Sequence, residues 1–221
     1  MFDRIIKVVE TPEELQIYQE LIYQVYCQEL KWFEPEKYPQ GRVADEFDSQ
    51  SKHFLMIDNQ SKEVMAVMRL IRSAPLPLPI FSKFGEQRLA PDFFQSHHCQ
   101  PTRNREVEIS QVAALKKFRE RQMSFTVDIG KIVYQSCLQN ELGYMYFTID
   151  FKFFLEAHKH DFWVEPIGTP RFYYGSWVLP CIVFFEMMAN YLKKHNPQAF
   201  DYAINPNNLV GSFKDKNLQN G

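Results

Sequence analysis

Four groups of residues in this chain are of types that can do chemistry together. Tyr26 and Trp32 are two aromatics close in sequence. Asp45 and Asp48 sit in an acidic run with Glu46 and Phe47. Arg69 lies in the apolar stretch Met65-Ala66-Val67-Met68-Arg69-Leu70-Ile71, and Glu108 opens Glu108-Ile109-Ser110-Gln111. A carboxylate in reach can take a proton from an attacking amine, and a group of acids attracts an amine in its ammonium form. Each group also has a plainer reading. The two aspartates can organise a turn through side-chain hydrogen bonds. Glu108 can face solvent, as glutamates usually do.

These residues need elements to bring them together. Residues 2–9 read as a strand rich in β-branched side chains. Thr11-Pro12-Glu13-Glu14 is a helix start, with Thr11 as cap and Glu14 closing a capping box. Leu15, Tyr18, Ile22, Val25 and Tyr26 then form one apolar stripe, so the helix is expected to run to about Trp32. Residues 33–52 lack a period and read as a long loop of the functional kind. Strands follow at 53–58 and 63–71, joined by a hairpin at 59–62. Two-residue alternation puts Met65, Val67, Arg69 and Ile71 on one face. Residues 74–104 carry five prolines and read as irregular. A strand is expected at 105–115, a helix at 122–141, a strand at 144–150 and a helix at 151–160. Residues 162–168 and 171–185 are strand-rich and lead into a helix at 184–195. This order gives an α/β (α+β) domain over residues 1–196, with a mixed, mostly antiparallel sheet flanked by helices. The polar stretch 197–221 is expected to trail loosely.

The chain has 221 residues and a net charge of −2, which gives no nucleic-acid footprint. Lys116, Lys117, Arg119 and Arg121 do cluster, as a solvated face or as a surface for an anionic carrier. Cysteines 27, 99, 137 and 181 show no metal or disulfide spacing, which suits reduced thiols in the cytoplasm. No apolar run reaches membrane-spanning length, and Met1-Phe2-Asp3-Arg4 does not start a signal peptide. His97-His98-Cys99 in a polar loop is set aside as a metal site. His53 and His158 read as structural or surface residues.

The order and gaps of the four groups resemble the acyl-homoserine-lactone synthases. They resemble still more the related N-acyl amino acid synthases and exosortase-associated acyltransferases, all of the GNAT fold. Those families carry an Arg-x-x-Val-aromatic helix and an Asp-x-aromatic-Asp loop. A strand ending Arg-Leu and a strand reading Glu-(Ile or Leu)-Ser-Arg follow. The resemblance covers residues 18–122 and the Gly175-Ser176-Trp177-Val178-Leu179-Pro180 segment. It implies that Arg69 pairs with Asp45 and Asp48, that Glu108 is the general base, and that Tyr26 and Trp32 lie near the acyl and acceptor pockets. It implies that the strand through Ser110, Gln111 and Val112 offers a backbone N–H to the developing oxyanion.

Two positions depart from the pattern: the helix arginine is Ile22 here, and the strand arginine is Gln111. Three acids then face one arginine, and they cannot all stay ionised if buried. One carboxylate holds a proton, or Arg42, Arg103 or Arg105 supplies charge, or a cationic amine substrate does, and the last is the expected case. For the acyl chain, Tyr144, Tyr146, Phe147, Phe151, Phe153, Phe154 and Trp163 are the candidate lining. The turn at 117–124 has no glycine to cradle a coenzyme A pyrophosphate, so the expected donor is acyl-acyl carrier protein, with acyl-coenzyme A as the alternative. The expected reaction is N-acylation of an amino acid or other small amine, with no tightly bound cofactor. A turnover-deficient acyl- or partner-binding protein and a coenzyme A-dependent acetyltransferase are the alternatives. Lactone synthesis is disfavoured, because the two arginines are missing where an S-adenosylmethionine pocket is charged.

Overall fold

The computed structural model describes residues 4–85, 91–97, 99, 106–119, 122–159, 164–173 and 175–214. Trp163, Arg121, Arg103, Arg105 and His98 lie outside them.

Among the described residues nine strands form one sheet. They are β1 (Arg4–Val8), β2 (Ser51–Asp58), β3 (Val64–Arg72), β4 (Val107–Ala114), β5 (Tyr144–Asp150), β6 (Glu165–Pro166), β7 (Arg171–Tyr173), β8 (Ser176–Phe184) and β9 (Leu209–Val210). The spatial order is β6-β8-β5-β4-β3-β2-β1-β9, with β7 on β8. The β4–β5 and β1–β9 pairs are parallel and the rest antiparallel. This is the mixed, mostly antiparallel sheet expected from the order of apolar periods.

The helices are α1 (Pro12–Tyr23), α2 (Pro79–Ser82), α3 (Pro91–Ser96), α4 (Lys116–Arg119), α5 (Gln122–Asn140), α6 (Phe151–Lys159), α7 (Phe185–His195) and α8 (Pro197–Ile204). One sheet face packs Ile6, Met68, Leu70, Val107 and Ile109 against α5, α6, α7 and α8. The other face packs α1 on Leu55, Val67 and Ala113. Beside it, Leu78, Ile80 and Phe94 of the β3–β4 excursion cover Ile71, Tyr144 and Tyr146.

The start of α1 is the expected one. Thr11 and Glu14 make both bonds of the capping box. Its end differs. The α-helix stops at Tyr23 and continues as a π-helix over Gln24–Glu29. The wider turn keeps Val25, Tyr26 and Cys27 all buried where the stripe alone would bury two of them.

The polar 197–221 stretch also differs from expectation up to residue 214. Asn196 caps α8, β9 pairs with β1, and Phe213 packs in the core against Phe54. A buried polar latch holds this segment. Lys131 donates to Asn207 O at 2.8 Å and Asn208 Oδ1 at 2.7 Å, and Tyr202 donates to Asp128 at 2.6 Å. Asp128 also pairs with Arg4. Polar composition misled here because the asparagines satisfy internal carbonyls and amines rather than water.

Candidate active site

Arg69 is the hub of the site. It is 2% exposed in the middle of β3. Its two terminal nitrogens reach Asp45 at 2.7 and 2.9 Å, and Nη1 reaches Asp48 at 2.8 Å. Burial alone would lower the guanidinium pKa, but Asp45, Asp48 and the buried Tyr18 hold it above its usual value. The loop is shaped to deliver the acids. Asp45 accepts from Phe47 N at 2.9 Å, so the turn and the ion pair use the same side chain. The two readings of these aspartates are therefore both true.

Asp48 has further partners. Gln19 Nε2 donates to it at 2.8 Å, and His53 Nε2 lies 3.1 Å away. Burial would raise the Asp48 pKa, but His53 and Arg69 together hold it below the usual carboxylate value. His53 is directly across from Arg69 in the β2–β3 ladder and packs edge-on against Tyr18 at 4.6 Å. Tyr18, Gln19 and His53 are members of this network that sequence reasoning missed. Hairpin register alone does not place His53 there. Folding symmetrically about 59–62 would pair His53 with Met68, and a register shift between Met56 and Ile57 moves it by one residue, onto Arg69.

Glu108 shares the face. It sits across from Ile71 while Ser110 sits across from Arg69. It is 2% exposed and accepts a hydrogen bond from Ile80 N at 2.8 Å. Burial pushes its pKa up to about 8, against partial relief from the Ile80 N–H and the Arg69 charge. One of the three acids thus holds a proton at neutral pH, the first of the three resolutions of the charge imbalance. Arg42 instead bonds Gln40 at 2.8 Å. Ile22 is fully buried in the same core cluster as Tyr18.

Strand β4 is bent at this point. Arg69 pairs with Ser110, but Val67 pairs with Ala113, so Met68 faces two residues, Gln111 and Val112. Gln111 takes φ +47°. This β-bulge re-aims Gln111, which simple alternation would send to the far side. Tyr18 OH donates to its Oε1 at 3.0 Å, and its Nε2 reaches Asp45 at 3.4 Å. The bulge also lies where the sheet opens. β4 and β5 pair only at Glu108–Tyr146 and Ile109–Phe147, and then part. Tyr26 OH reaches Val112 O at 3.5 Å, and its ring lies 5.1 Å from Trp32. Trp32 in turn lies 3.0 Å from where a Gly175 Cβ would be, so it spans toward the β7–β8 turn. Gly175 has φ +77°, and a side chain there would meet that indole.

One expected grouping does not hold, and a second is changed. The aromatic lining splits across the sheet. Tyr144 and Tyr146 belong to the Arg69 face, whereas Phe147, Phe151, Phe153 and Phe154 pack on the α5 face. Successive strand residues point to opposite faces, so a run of aromatics in β5 cannot line one wall. The basic cluster is partly neutralised: Lys117 pairs with Glu63, and Arg119 with Glu29. Lys116 and Lys117 still edge an open depression with Gln24, Glu29 and Leu115. His97 contacts Glu165 at 2.7 Å and stacks on Phe184. Among the described residues no group of three or more His, Cys, Asp or Glu could hold a metal, and no helix is long and apolar enough to cross a membrane.

Comparison with known proteins follows this geometry. The acetyltransferase (GNAT) domain family matches residues 21–127. No curated protein matches. Similar solved structures include the CoA-dependent acyl-homoserine lactone synthase BjaI with SAM and isopentyl-CoA (17% identity, 90% of this chain and 87% of that one, TM-score 0.65). The AHL synthase LasI is similar at 14% identity, over 82% of this chain and 90% of that one, with TM-score 0.61. FeeM, an N-acyl amino acid synthase from uncultured soil microbes, is similar at 12% identity, over 85% and 93%, with TM-score 0.58. Residues 21–127 thus match an acetyltransferase (GNAT) domain, and the chain has the fold of the acyl-homoserine lactone synthases and FeeM.

Proposed function

We propose that this protein is a cytoplasmic N-acyltransferase that moves a fatty acyl group from an acyl carrier protein thioester to the amine of an amino acid or another small amine. One observation carries the reading. A buried Arg69 pairs with Asp45 and Asp48 on the sheet face that also carries Glu108, and the strand bearing Glu108 bulges at Gln111 just after it parts from β5. The amine nitrogen attacks the thioester carbonyl carbon and a C–N bond forms. The carbonyl electron pair moves to oxygen, where a backbone N–H of the Ser110–Val112 segment stabilises it. Collapse breaks the C–S bond and releases the carrier thiolate. The ionised form of Glu108, a minority at neutral pH that grows as pH nears 8, takes the amine proton directly or through one water and passes it to the thiolate.

Glu108 suits this role because a base with pKa about 8 is matched to a near-neutral proton transfer. Asp45 and Asp48, each partly exposed, draw the ammonium form of the acceptor. The donor assignment is supported by the glycine-free turn after β4 and by Lys116 beside an open depression.

The test is a panel of acyl carrier protein and coenzyme A thioesters with pooled amino acids and amines, read by mass for N-acyl products. Product formed from carrier thioesters and lost in Glu108→Gln supports the reading. Absence of product across the panel sinks it and leaves acyl binding without turnover, which the sealing of Glu108 by Ile80 would suit.

A further inference from the structure

We propose that Gln111 is a positioning residue. Its amide ties the β4 bulge to Tyr18 and to the Asp45–Arg69 cluster, and so fixes the aim of the backbone N–H that meets the thioester oxygen. The inference rests on the acyl-transfer reading above.

The backbone at Gln111 poses the question. A φ of +47° is left-handed, and a bulge of this kind normally uses glycine there. A side chain at such an angle crowds its Cβ against the following carbonyl oxygen. Glycine or asparagine would meet the backbone requirement more cheaply, so the glutamine side chain must do something in return.

Its contacts say what. Oε1 accepts from Tyr18 OH at 3.0 Å, and Nε2 reaches Asp45 Oδ2 at 3.4 Å. Tyr18 is fully buried and wedged edge-on against His53, so it is a fixed anchor. The other bulge residue has an anchor of its own, because Tyr26 OH reaches Val112 O at 3.5 Å. Tyr18 stands on α1 and Tyr26 on the π-helical turn that extends it. One helical segment thus holds both residues of the bulge.

Those anchors are needed because β5 supplies none. Its ladder with β4 ends at Ile109, two residues before the bulge. Beyond that point the segment is held from β3 on one side and by side chains from above. The same glutamine touches Asp45, so the acceptor cluster and the oxyanion donor share one strut.

Three variants test this: Gln111→Gly, Tyr18→Phe and the double variant. Gln111→Gly relieves the φ strain and removes the strut. The expected result is a melting temperature within a few degrees of the parent, with kcat down by about tenfold to a hundredfold, as for a misplaced reacting geometry. KM for the acyl donor stays within about twofold, since the loss falls on the transition state. Tyr18→Phe lowers kcat in the same direction, and the double variant is no slower than Gln111→Gly, because both act through one connection. A Gln111→Gly protein with the parent's kcat overturns the proposal, and so do losses that multiply in the double variant. A parent protein that transfers no acyl group to any amine overturns the functional reading itself and this proposal with it.

Discussion

Replacing Glu108 with glutamine should make the protein more stable at neutral pH, even though the residue is assigned to the chemistry. The side chain is 2% exposed, and burial moves its pKa from 4.5 to about 8. The folded chain therefore binds the Glu108 proton more tightly than the unfolded chain does. That proton's contribution to stability is fully present below pH 4.5, falls as pH rises, and is gone above about pH 8. Each pH unit in that window is worth about 1.36 kcal/mol. At pH 7 the loss is about 3 kcal/mol, from the 2.5 units above the unfolded value of 4.5. Glutamine keeps an oxygen for the Ile80 N–H and has no proton to lose. Denaturant unfolding of both proteins from pH 5 to pH 8.5 isolates this group, because every other titration cancels in the difference. The glutamine protein should lead by about 1 kcal/mol at pH 5 and by about 3 kcal/mol at pH 7. Parallel profiles with a pH-independent gap would refute the assignment of a neutral, buried Glu108.

Arg69→Met strands two aspartates beside each other and should cost about 3–5 kcal/mol. Adding Asp45→Asn and Asp48→Asn should recover most of that in the same unfolding assay. Without Arg69 the aspartates bind protons more readily in the folded state, so the single variant should regain stability as pH falls toward 4. Lys116→Glu should raise KM for acyl carrier protein thioesters severalfold at low salt, with little change for coenzyme A thioesters; steady-state kinetics at two ionic strengths would check it. Lys131→Met deletes two hydrogen bonds to residues 207 and 208, and it should open the 197–214 segment to limited proteolysis while the rest of the domain resists.

The fold was legible wherever periodicity was strong. The capping box of α1, the hairpin around 59–62, the β4 strand and the α5 helix all lie where apolar spacing put them. The acidic loop, Arg69 and Glu108 were legible as parts of a site through their order, and the structure brings them to one sheet face. Three things were not legible, each for its own physical reason. The bulge at Gln111 adds one residue to a strand, and alternation cannot reveal an insertion that turns a side chain around. His53 joins the cluster through a register shift of one residue in its hairpin. The 197–214 segment looks solvated because its binding to the domain runs through asparagine amides and backbone carbonyls, which composition counts as hydrophilic.

That segment has a consequence for how the chain acquires its shape. The outer edge of β1 is completed by Leu209 and Val210, about two hundred residues later in the sequence. During synthesis the first strand must wait, with one row of amides unmet, until nearly all of this sequence has left the ribosome. An interrupted translation product ending before residue 209 would keep that row open to neighbouring chains. Productive folding is thus tied to synthesis beyond residue 210, and products that end earlier are open to aggregation.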